Sequence, residues 1–325
     1  MQRQDDIPRP ARRPVTHMGR FLLNPARDLP LLQLVRDATF ISRQQIELLI
    51  AGRTQELNYD NRNRRIANLV KRDQLQICHE CFPYPGRIFT ITHAGLNTLQ
   101  ISGMGILSVT ADTEMLADIR QMPHFLGLNE IEIAAREALS VRRWIGDRQL
   151  KSLNIAANRP TQKDYDSIAE IAAPSGSDAV IYLGIEYERT IKSKDRYAQI
   201  RKKLDAERQI QGLLYFVDNE ENAVILSREV YSALVPVGVV IASQFQSDGV
   251  NATLRVVQDR SIVRTSVKDY LTSVQRLKRH SETKSTRSRS HDRLQRFEAG
   301  AYLVLGMACS NPSEGSHWGS KNKTD

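Results

Sequence analysis

Two glutamates, Glu186 and Glu188, stand in a largely apolar stretch that begins at Ser177 and reads SDAVIYLGIEYERTIKSKDRY. Side chains two residues apart on a strand point to the same side of the sheet, so both carboxylates share one face. At about 7 Å apart they would repel each other in a dry environment unless a cation neutralised them. A hard cation such as Mg²⁺ or Mn²⁺ prefers oxygen ligands. The spacing therefore indicates a metal site beside a cleft, with a charged, solvent-facing edge strand as the alternative.

Asp178 is a candidate for a further metal ligand. Eight residues of unbroken strand would place it about 26 Å from Glu186, which is too far for a shared ion. The two can meet only if the chain reverses, and the glycine of Leu183-Gly184 permits a reversal there. The metal hypothesis, with Asp178, Glu186 and Glu188 as ligands, therefore requires a turn at this position.

Lysines and a tyrosine follow the two glutamates. Lys192 and Lys194 can stabilise charge that develops on a scissile phosphate or orient a water molecule, although charged residues are also common where a helix begins. Tyr197 lies one turn into a charged helix predicted over about 194–209. It can act as a nucleophile toward phosphorus or pack in the core. The residues leave these roles open.

Cys78 and Cys81 have the C-x-x-C spacing of half a zinc site. The second half is missing, because Cys309 is the third and last cysteine of the chain. We therefore interpret the pair as part of a hairpin. Three cysteines cannot form a disulfide framework, which favours a reducing, cytoplasmic compartment.

Three helical patterns precede a hairpin in the first third of the chain. They begin near Leu29, at Ser42 with Gln45 in the spacing of a capping box, and near Asp60. This order is typical of a winged helix, whose third helix enters the major groove of DNA while the hairpin contacts the backbone. The basic residues predicted to contact DNA are Arg62, Arg64, Arg65, Lys71, Arg72 and Arg87. A solvated helix face is the alternative for these residues.

The overall composition favours an anionic partner. The 325 residues carry a formal net charge of +9, and nucleic acid is the commonest anionic partner of a basic protein. We predict a mixed α/β protein with a disordered basic tail at 1–24, a DNA-binding domain at 25–108, a second domain at 113–270 and a basic, mostly disordered tail at 271–325. Within the second domain, 160–177 is polar and punctuated by Pro and Gly, and the first strand-like run begins only after it, near Ala179. A run of about 18 apolar residues is absent, so we expect no membrane span.

Four stretches, in this order, resemble the replication-relaxation family of mobile-element proteins, which includes the MobC-type conjugative relaxases. They are NRRIANLVKRDQL with the later FTITHAGLNTL, then HFLGLNEIEIAAREAL from His124, then SDAVIYL, and finally IEYERTIKSKDRYAQI. The second is similar to the family's His-x-Leu-x-x-Asn helix entry. The fourth is similar to its Glu-x-Glu followed by a helix that bears Lys and Tyr. Together the stretches span about residues 25–220.

The resemblance implies a winged helix followed by a restriction-endonuclease-like domain of the PD-(D/E)xK fold. In that fold an Asp and a Glu on neighbouring strands bind Mg²⁺ beside the phosphodiester. The matching positions are Asp178 and Glu186, and Glu188 stands where the fold often carries Lys. Ser177 replaces the usual Pro, and the spacing from Asp to Glu is short. His124 begins the matching helix, and the resemblance leaves it either a catalytic or an orienting role.

The residues and the resemblance together predict site-specific, metal-dependent nicking of double-stranded DNA at a transfer or replication origin of a plasmid or conjugative element. Relaxosome or coupling proteins are then further partners, and a homodimer is left open. The alternative is a non-catalytic winged-helix protein for replication control, transcription or relaxosome assembly. A third interpretation is an endonuclease that makes double-strand breaks.

Overall fold

The computed structural model describes residues 23–50, 59–78, 86–107, 118–157, 161, 163–172, 179–232, 234–258 and 261–285. These residues form helices and strands in the mixed α/β class, as the sequence predicts. They comprise an N-terminal part up to 107 and a larger second part from 118, which contains a seven-stranded mixed sheet. No helix in the described ranges is long and apolar enough to cross a membrane.

The N-terminal part consists of four helices and a small sheet. Its elements are α1 (Pro25–Ala38), β1 (Ile41–Ser42), α2 (Arg43–Ile50), α3 (Tyr59–Lys71), β2 (Leu75–Cys78), β3 (Ile88–Ile91) and α4 (His93–Ile101). The strands pair in the antiparallel order β1-β3-β2. Side chains from all four helices and from the sheet share one apolar core.

The start of α2 carries the predicted capping box. The amide of Gln45 donates to Ser42 Oγ at 3.2 Å, and the amide of Ser42 donates to Gln45 Oε1 at 3.1 Å. Each side chain therefore satisfies a backbone donor that the first turn of a helix would leave without a partner. This prediction from the sequence is confirmed.

Between α1 and β1 the chain turns sharply at Thr39. The φ of Thr39 is 64°, which a β-branched residue rarely adopts. The amide of Phe40 donates to the carbonyl of Ala38 across it at 2.8 Å, so the three residues form a γ-turn. A residue held in such a sparsely populated backbone conformation lowers the stability of the folded state by about 1–3 kcal/mol. The turn directs the ring of Phe40 into a buried apolar cluster that also contains Ile88, Met122 and Leu126.

The second part is built around the large sheet. Its elements are α5 (Met122–Ala138), β4 (Val141–Gly146), α6 (Asp147–Ala157), β5 (Ser167–Ala172), β6 (Val180–Glu188), α7 (Lys194–Ala206), β7 (Gly212–Val217), α8 (Glu220–Glu229), β8 (Val237–Ile241), α9 (Ala242–Asp248), β9 (Thr253–Gln258), β10 (Ser261–Ser266) and α10 (Val267–Ser285). The strands lie in chain order from β4 to β10. The central strands β6, β7 and β8 are parallel, and the other neighbours are antiparallel.

Two apolar cores cover the two faces of this sheet. Helices α5, α9 and α10 pack on one face, and α6, α7 and α8 pack on the other. Along β6, Leu183 and Ile185 point to the α5 side, whereas Tyr182 points to the α7 side. Because side chains alternate along a strand, Glu186 and Glu188 lie on the α7 side.

The C-terminal boundary predicted at 270 lies inside α10, so the prediction of disorder is wrong for residues 271–285. Tyr270, Leu271 and Val274 are buried in the core on the α5 side. The hydroxyl of Tyr270 accepts from the amide of Leu213 at 3.0 Å and donates to the carbonyl of Pro236 at 2.9 Å. The apolar positions recur at helical spacing, but the basic residues between them made this stretch look like a tail.

Helix α5 joins the two parts. The side-chain amide of Asn129 donates to the carbonyl of Phe40 at 2.8 Å and to Gln45 Oε1 at 3.2 Å. Gln45 Nε2 in turn donates to the carbonyl of Leu126 at 2.9 Å. These groups are buried, so each hydrogen bond replaces one that water would have made. Helix α5 therefore packs both on the large seven-stranded sheet and against the N-terminal part.

Candidate active site

Strand β6 runs without interruption from Val180 to Glu188. Gly184 pairs with Ile168 on β5 and with Leu213 on β7, so both neighbours hold it in the extended conformation. The chain reversal that the metal hypothesis requires at Leu183-Gly184 is therefore wrong. Asp178 itself lies outside the described residues. The glycine instead allows close packing, because a Cβ there would meet Ile210 Cδ1 at 2.8 Å.

Asp166 is the aspartate that the fold brings to the glutamates. It directly precedes β5, and the register that pairs Ser167 with Ile185 sets Asp166 opposite Glu186. The backbone amide of Tyr187 donates to Asp166 Oδ2 at 2.8 Å. The sequence reasoning missed Asp166 because β5 lies in the polar, Pro/Gly-punctuated segment 160–177, in which no strand was predicted. The signal that could have found it is the short alternation SIAEIA directly after the aspartate.

Glu186 forms a buried ion pair with Lys163. The two residues are 7% and 6% exposed. Lys163 Nζ also donates to the carbonyl of Asp164 at 3.2 Å and lies 4.9 Å from the centre of the Tyr165 ring. Burial raises the pKa of Glu186 to about 7, although the charge of Lys163 opposes this. Lys163 is a second site residue that the sequence reasoning missed.

Glu188 is also buried, and it forms an ion pair with Lys192, four residues further along the chain. Burial raises the pKa of Glu188, and the ammonium of Lys192 opposes that rise. The backbone amide of Lys192 donates to the hydroxyl of Tyr197 at 2.9 Å. Tyr197 is fully buried, and burial raises its pKa to about 12, which favours the packing role. Lys194 is exposed and is the first residue of α7.

His124 contacts the same aspartate from the first turn of α5. Its Nε2 lies 3.4 Å from Asp166 Oδ1, and its ring stacks on that of Tyr187 at 5.7 Å between centroids. Burial lowers the pKa of His124, but the nearby carboxylates of Asp166 and Glu186 outweigh this and raise it overall. Burial likewise raises the pKa of Asp166, but the bond from His124 leaves it below its ordinary value. The structure thus brings together His124, Glu186 and Glu188 from the sequence prediction.

Tyr187, between the two glutamates, lies on the opposite face of β6 and packs against α5. A Cβ at Gly127 would lie 2.2 Å from Tyr187 Cε1, so the glycine makes room for this ring. The hydroxyl of Tyr187 donates to Asp218, which directly follows β7. The ring therefore fixes the end of β6 between α5 and the neighbouring strand, and it keeps both glutamates on the α7 side.

The chemistry of the donors suits a hard divalent cation, because Asp166, Glu186 and Glu188 offer carboxylate oxygens at one end of β6. The ammonium of Lys163 stands in for a cation at Glu186. The donors are nevertheless engaged with His124, Lys163 and Lys192. Within the described ranges no group of three or more His, Cys, Asp or Glu side chains is arranged to hold a metal ion.

The predicted DNA-contacting residues fall into two groups. Arg64, Lys71, Arg72 and Arg87 are exposed. Arg65 instead forms an ion pair of 3.1 Å with the buried Asp28 of α1. Arg62 Nη1 donates to the carbonyl of Glu47 on α2 at 3.2 Å. These two arginines hold α3 against its neighbours. Of the possible zinc half-site, Cys78 ends β2, and Cys81 lies outside the described residues.

Comparison of the chain with protein-family models, with curated proteins and with solved structures finds no match. The candidate site is therefore defined by its own geometry.

Proposed function

We propose that this protein binds double-stranded DNA and cuts one strand at the cluster of Asp166, Glu186 and Glu188. The observation that carries the proposal is the position of Asp166, at the start of β5, against the end of β6 that bears both glutamates. The elements around these residues follow in the order α5, β4, α6, β5, β6, α7 and β7. Strands β4, β5 and β6 are antiparallel neighbours, and β7 is parallel to β6. This order supports a PD-(D/E)xK fold.

Asp166 and Glu186 would hold a divalent cation such as Mg²⁺ or Mn²⁺, with Glu188 beside them. When bound, the cation would polarise a phosphate and lower the pKa of a water ligand. His124 keeps Asp166 ionised and orients its carboxylate, because its Nε2 faces one oxygen while the amide of Tyr187 fixes the other. Lys192 pairs with the buried Glu188 and opposes the rise that burial causes in the pKa of this carboxyl group.

The N-terminal part supports binding of duplex DNA. Its order of three helices followed by a β2–β3 hairpin, with β1 completing the sheet, supports a winged helix. Arg64 and Lys71 on α3, Arg72 directly after it and Arg87 directly before β3 are exposed. Exposed basic side chains of this kind can contact phosphates. We infer that α3 enters the major groove and that the hairpin contacts the backbone.

The biological setting rests on the resemblance to the replication-relaxation family. On that basis the substrate is a transfer or replication origin of a plasmid or conjugative element, and relaxosome or coupling proteins are the partners. The cytoplasm is the compartment in which such DNA is processed.

A second candidate function is non-catalytic DNA binding for replication control, transcription or relaxosome assembly. The observation that favours it is that Asp166, Glu186 and Glu188 each face a basic side chain, so that the described residues contain no ready metal-binding group. In that case the ion pairs serve only to stabilise the end of β6.

A nicking assay decides between strand cutting and non-catalytic binding. Its substrate is a supercoiled plasmid that carries the DNA flanking the gene for this protein. We expect open-circular product with Mg²⁺ and none with EDTA. Asp166→Asn and Glu186→Gln should abolish the product while DNA binding persists. The matched control is Glu170→Gln, because Glu170 lies on β5 away from the cluster. Linear product would instead indicate double-strand breaks.

Asp178→Asn separates the structural assignment from the sequence prediction. We expect this variant to nick at the wild-type rate, because β6 lacks the reversal that a role for Asp178 requires. Equal nicking by Asp166→Asn and the wild type would reject the cluster as the place of cutting, and no nicking by the wild type would leave the non-catalytic function.

A further inference from the structure

Lys163 is the most deeply buried cation at the candidate site. Its ammonium group pairs with Glu186 and is buried away from bulk water. Its other neighbours are the carbonyl of Asp164 and the rings of Tyr165 and Tyr215. A buried ammonium group is costly unless a carboxylate balances it. Lys163 and Glu186 therefore depend on each other as long as no other ion is present.

We propose that the ammonium of Lys163 occupies the cation position of this site and must leave Glu186 when a divalent cation binds. This inference rests on the proposed function and deepens it, because it states how a site without free carboxylates becomes a metal site. Both ions would use the same buried carboxylate of Glu186. Two positive charges at one carboxylate repel each other strongly in a region from which water is excluded, so the binding of a divalent cation favours release of the ammonium.

The surroundings of Lys163 offer a second position for its ammonium. The centre of the Tyr215 ring lies 6.0 Å from Nζ, and that of Tyr165 lies 4.9 Å away. The hydroxyl of Tyr215 is buried and makes no hydrogen bond among the described residues. A buried hydroxyl of this kind is a ready acceptor for a displaced ammonium group. The flexible side chain of lysine can shift over such a distance without a change in the backbone.

The exchange predicts that Lys163 weakens the binding of divalent cations. In Lys163→Met the competitor is gone and Glu186 is free, so we expect Mn²⁺ to bind at least about tenfold more tightly than to the wild type. Isothermal titration calorimetry or the EPR signal of free Mn²⁺ measures this without DNA and without activity. Lys192→Met is the matched control, because it removes the same charge from the partly exposed pair with Glu188. Equal gains in both variants would indicate general electrostatics and overturn the exchange.

Thermal unfolding tests the same exchange through stability. Lys163→Met should melt below the wild type in EDTA, because Glu186 then has no counter-ion, and Mn²⁺ should restore most of the difference. A deficit that Mn²⁺ leaves unchanged would count against the exchange.

NMR on the wild-type chain covers the case in which the variant fails to fold. With ¹³Cε-labelled lysine, and with the Lys163 signal assigned through Lys163→Arg, saturating Mg²⁺ should shift that signal more than any other lysine signal. Binding of Mg²⁺ without such a shift would reject the exchange and leave the proposed function intact. If neither the wild type nor either Met variant binds Mn²⁺ at millimolar concentration, the metal site itself is rejected, and the exchange with it.

Discussion

Asp166 and His124 form a pair in which each partner keeps the other charged. Burial alone would neutralise both, yet the pKa of Asp166 ends below its ordinary value and that of His124 ends above it. Other groups act on His124 from the surrounding elements: Glu186 raises its pKa, Arg189 lowers it, and the Tyr187 ring covers one face. The pair therefore stabilises the folded protein only while the imidazole is protonated.

The raised pKa of His124 predicts a pH-dependent effect of His124→Gln. A group whose pKa is higher in the folded state contributes stability that is complete below the unfolded value of 6.5 and is lost as pH rises through the folded value. In EDTA, we expect the variant to lose most free energy of unfolding below pH 6.5 and least in alkaline buffer. Urea denaturation across this range measures it.

His93→Gln provides the matched control, because His93 is exposed on α4. The loss of this exposed imidazole measures the effect of removing a histidine in the same buffers. A difference between His124→Gln and the wild type that does not change with pH would contradict the assignment of a charged pair.

At this scale the sequence predicted both glutamates of β6, and the family resemblance added His124 of α5, but both missed Asp166 and Lys163. Glu186 and Glu188 follow from the period of a strand, because spacing alone places them on one face. Asp166 and Lys163 reach the site through the pairing of β5 with β6, and no local pattern specifies that register. A lysine is also expected in solvent by its type, so nothing in the sequence predicts that Lys163 is buried.

At the scale of elements, helix α10 shows that amino-acid composition alone can predict a tail where the chain forms a packed helix. One side of the helix is apolar and lies in the core, although basic residues outnumber acidic ones along its sequence. A count of charges therefore predicts a tail, whereas the spacing of the apolar residues predicts an amphipathic helix. The capping box of α2 was predictable because both partners lie within one helical turn.

Leu271→Ala and Leu277→Ala test the place of α10 in the core. Leu271 is 3% exposed and Leu277 is 55% exposed on the same helix. We expect the first change to cost about 2–5 kcal/mol of unfolding free energy, and the second less than about 1 kcal/mol. Denaturant titration of the two variants compares them directly. Equal, small losses would mean that α10 contributes little to the core.

Helix α3 carries arginines in two environments, one in an ion pair with α1 and one exposed. Arg65→Ala leaves the buried Asp28 without its ion-pair partner, so we expect a loss of about 1–3 kcal/mol in stability. Arg64→Ala removes an exposed charge, so we expect unchanged stability, weaker DNA binding and a salt dependence reduced by about one ion. Thermal melting and fluorescence anisotropy at several salt concentrations measure the two effects. The assignment fails if Arg64→Ala binds DNA as the wild type does.

At the scale of the whole molecule, α5 is one of the elements that hold the two described parts together, beside contacts from α6 to α1. The helix contributes Ile133 to the N-terminal core, Leu126 to the cluster around Phe40, and Ile131 to the core of the large sheet. The sequence predicted two domains divided between 108 and 113, and this point lies outside the described residues. The contacts across α5 were not predictable, because they join residues more than eighty positions apart.

Asn129→Ala tests this coupling. The change leaves the carbonyl of Phe40 buried without its donor, so we expect a loss of about 1–3 kcal/mol. The wild type should unfold in one transition whether it is followed by Trp144 fluorescence, with Trp318 replaced by Phe, or by hydrogen exchange in residues 25–107. In the variant the two transitions should move apart. Separate transitions in the wild type would show that the parts are independent.

Thr39 adds a mechanical consequence at the joint. The γ-turn holds a residue in a conformation that glycine would adopt freely, and it does so where α1 meets the cluster around Phe40. A motion that relaxed the γ-turn at Thr39 would therefore release the free energy that this backbone conformation costs. If the N-terminal part binds duplex DNA as proposed, a shift on the DNA that relaxed this bend would be transmitted through Phe40 to α5, and from there to the imidazole of His124.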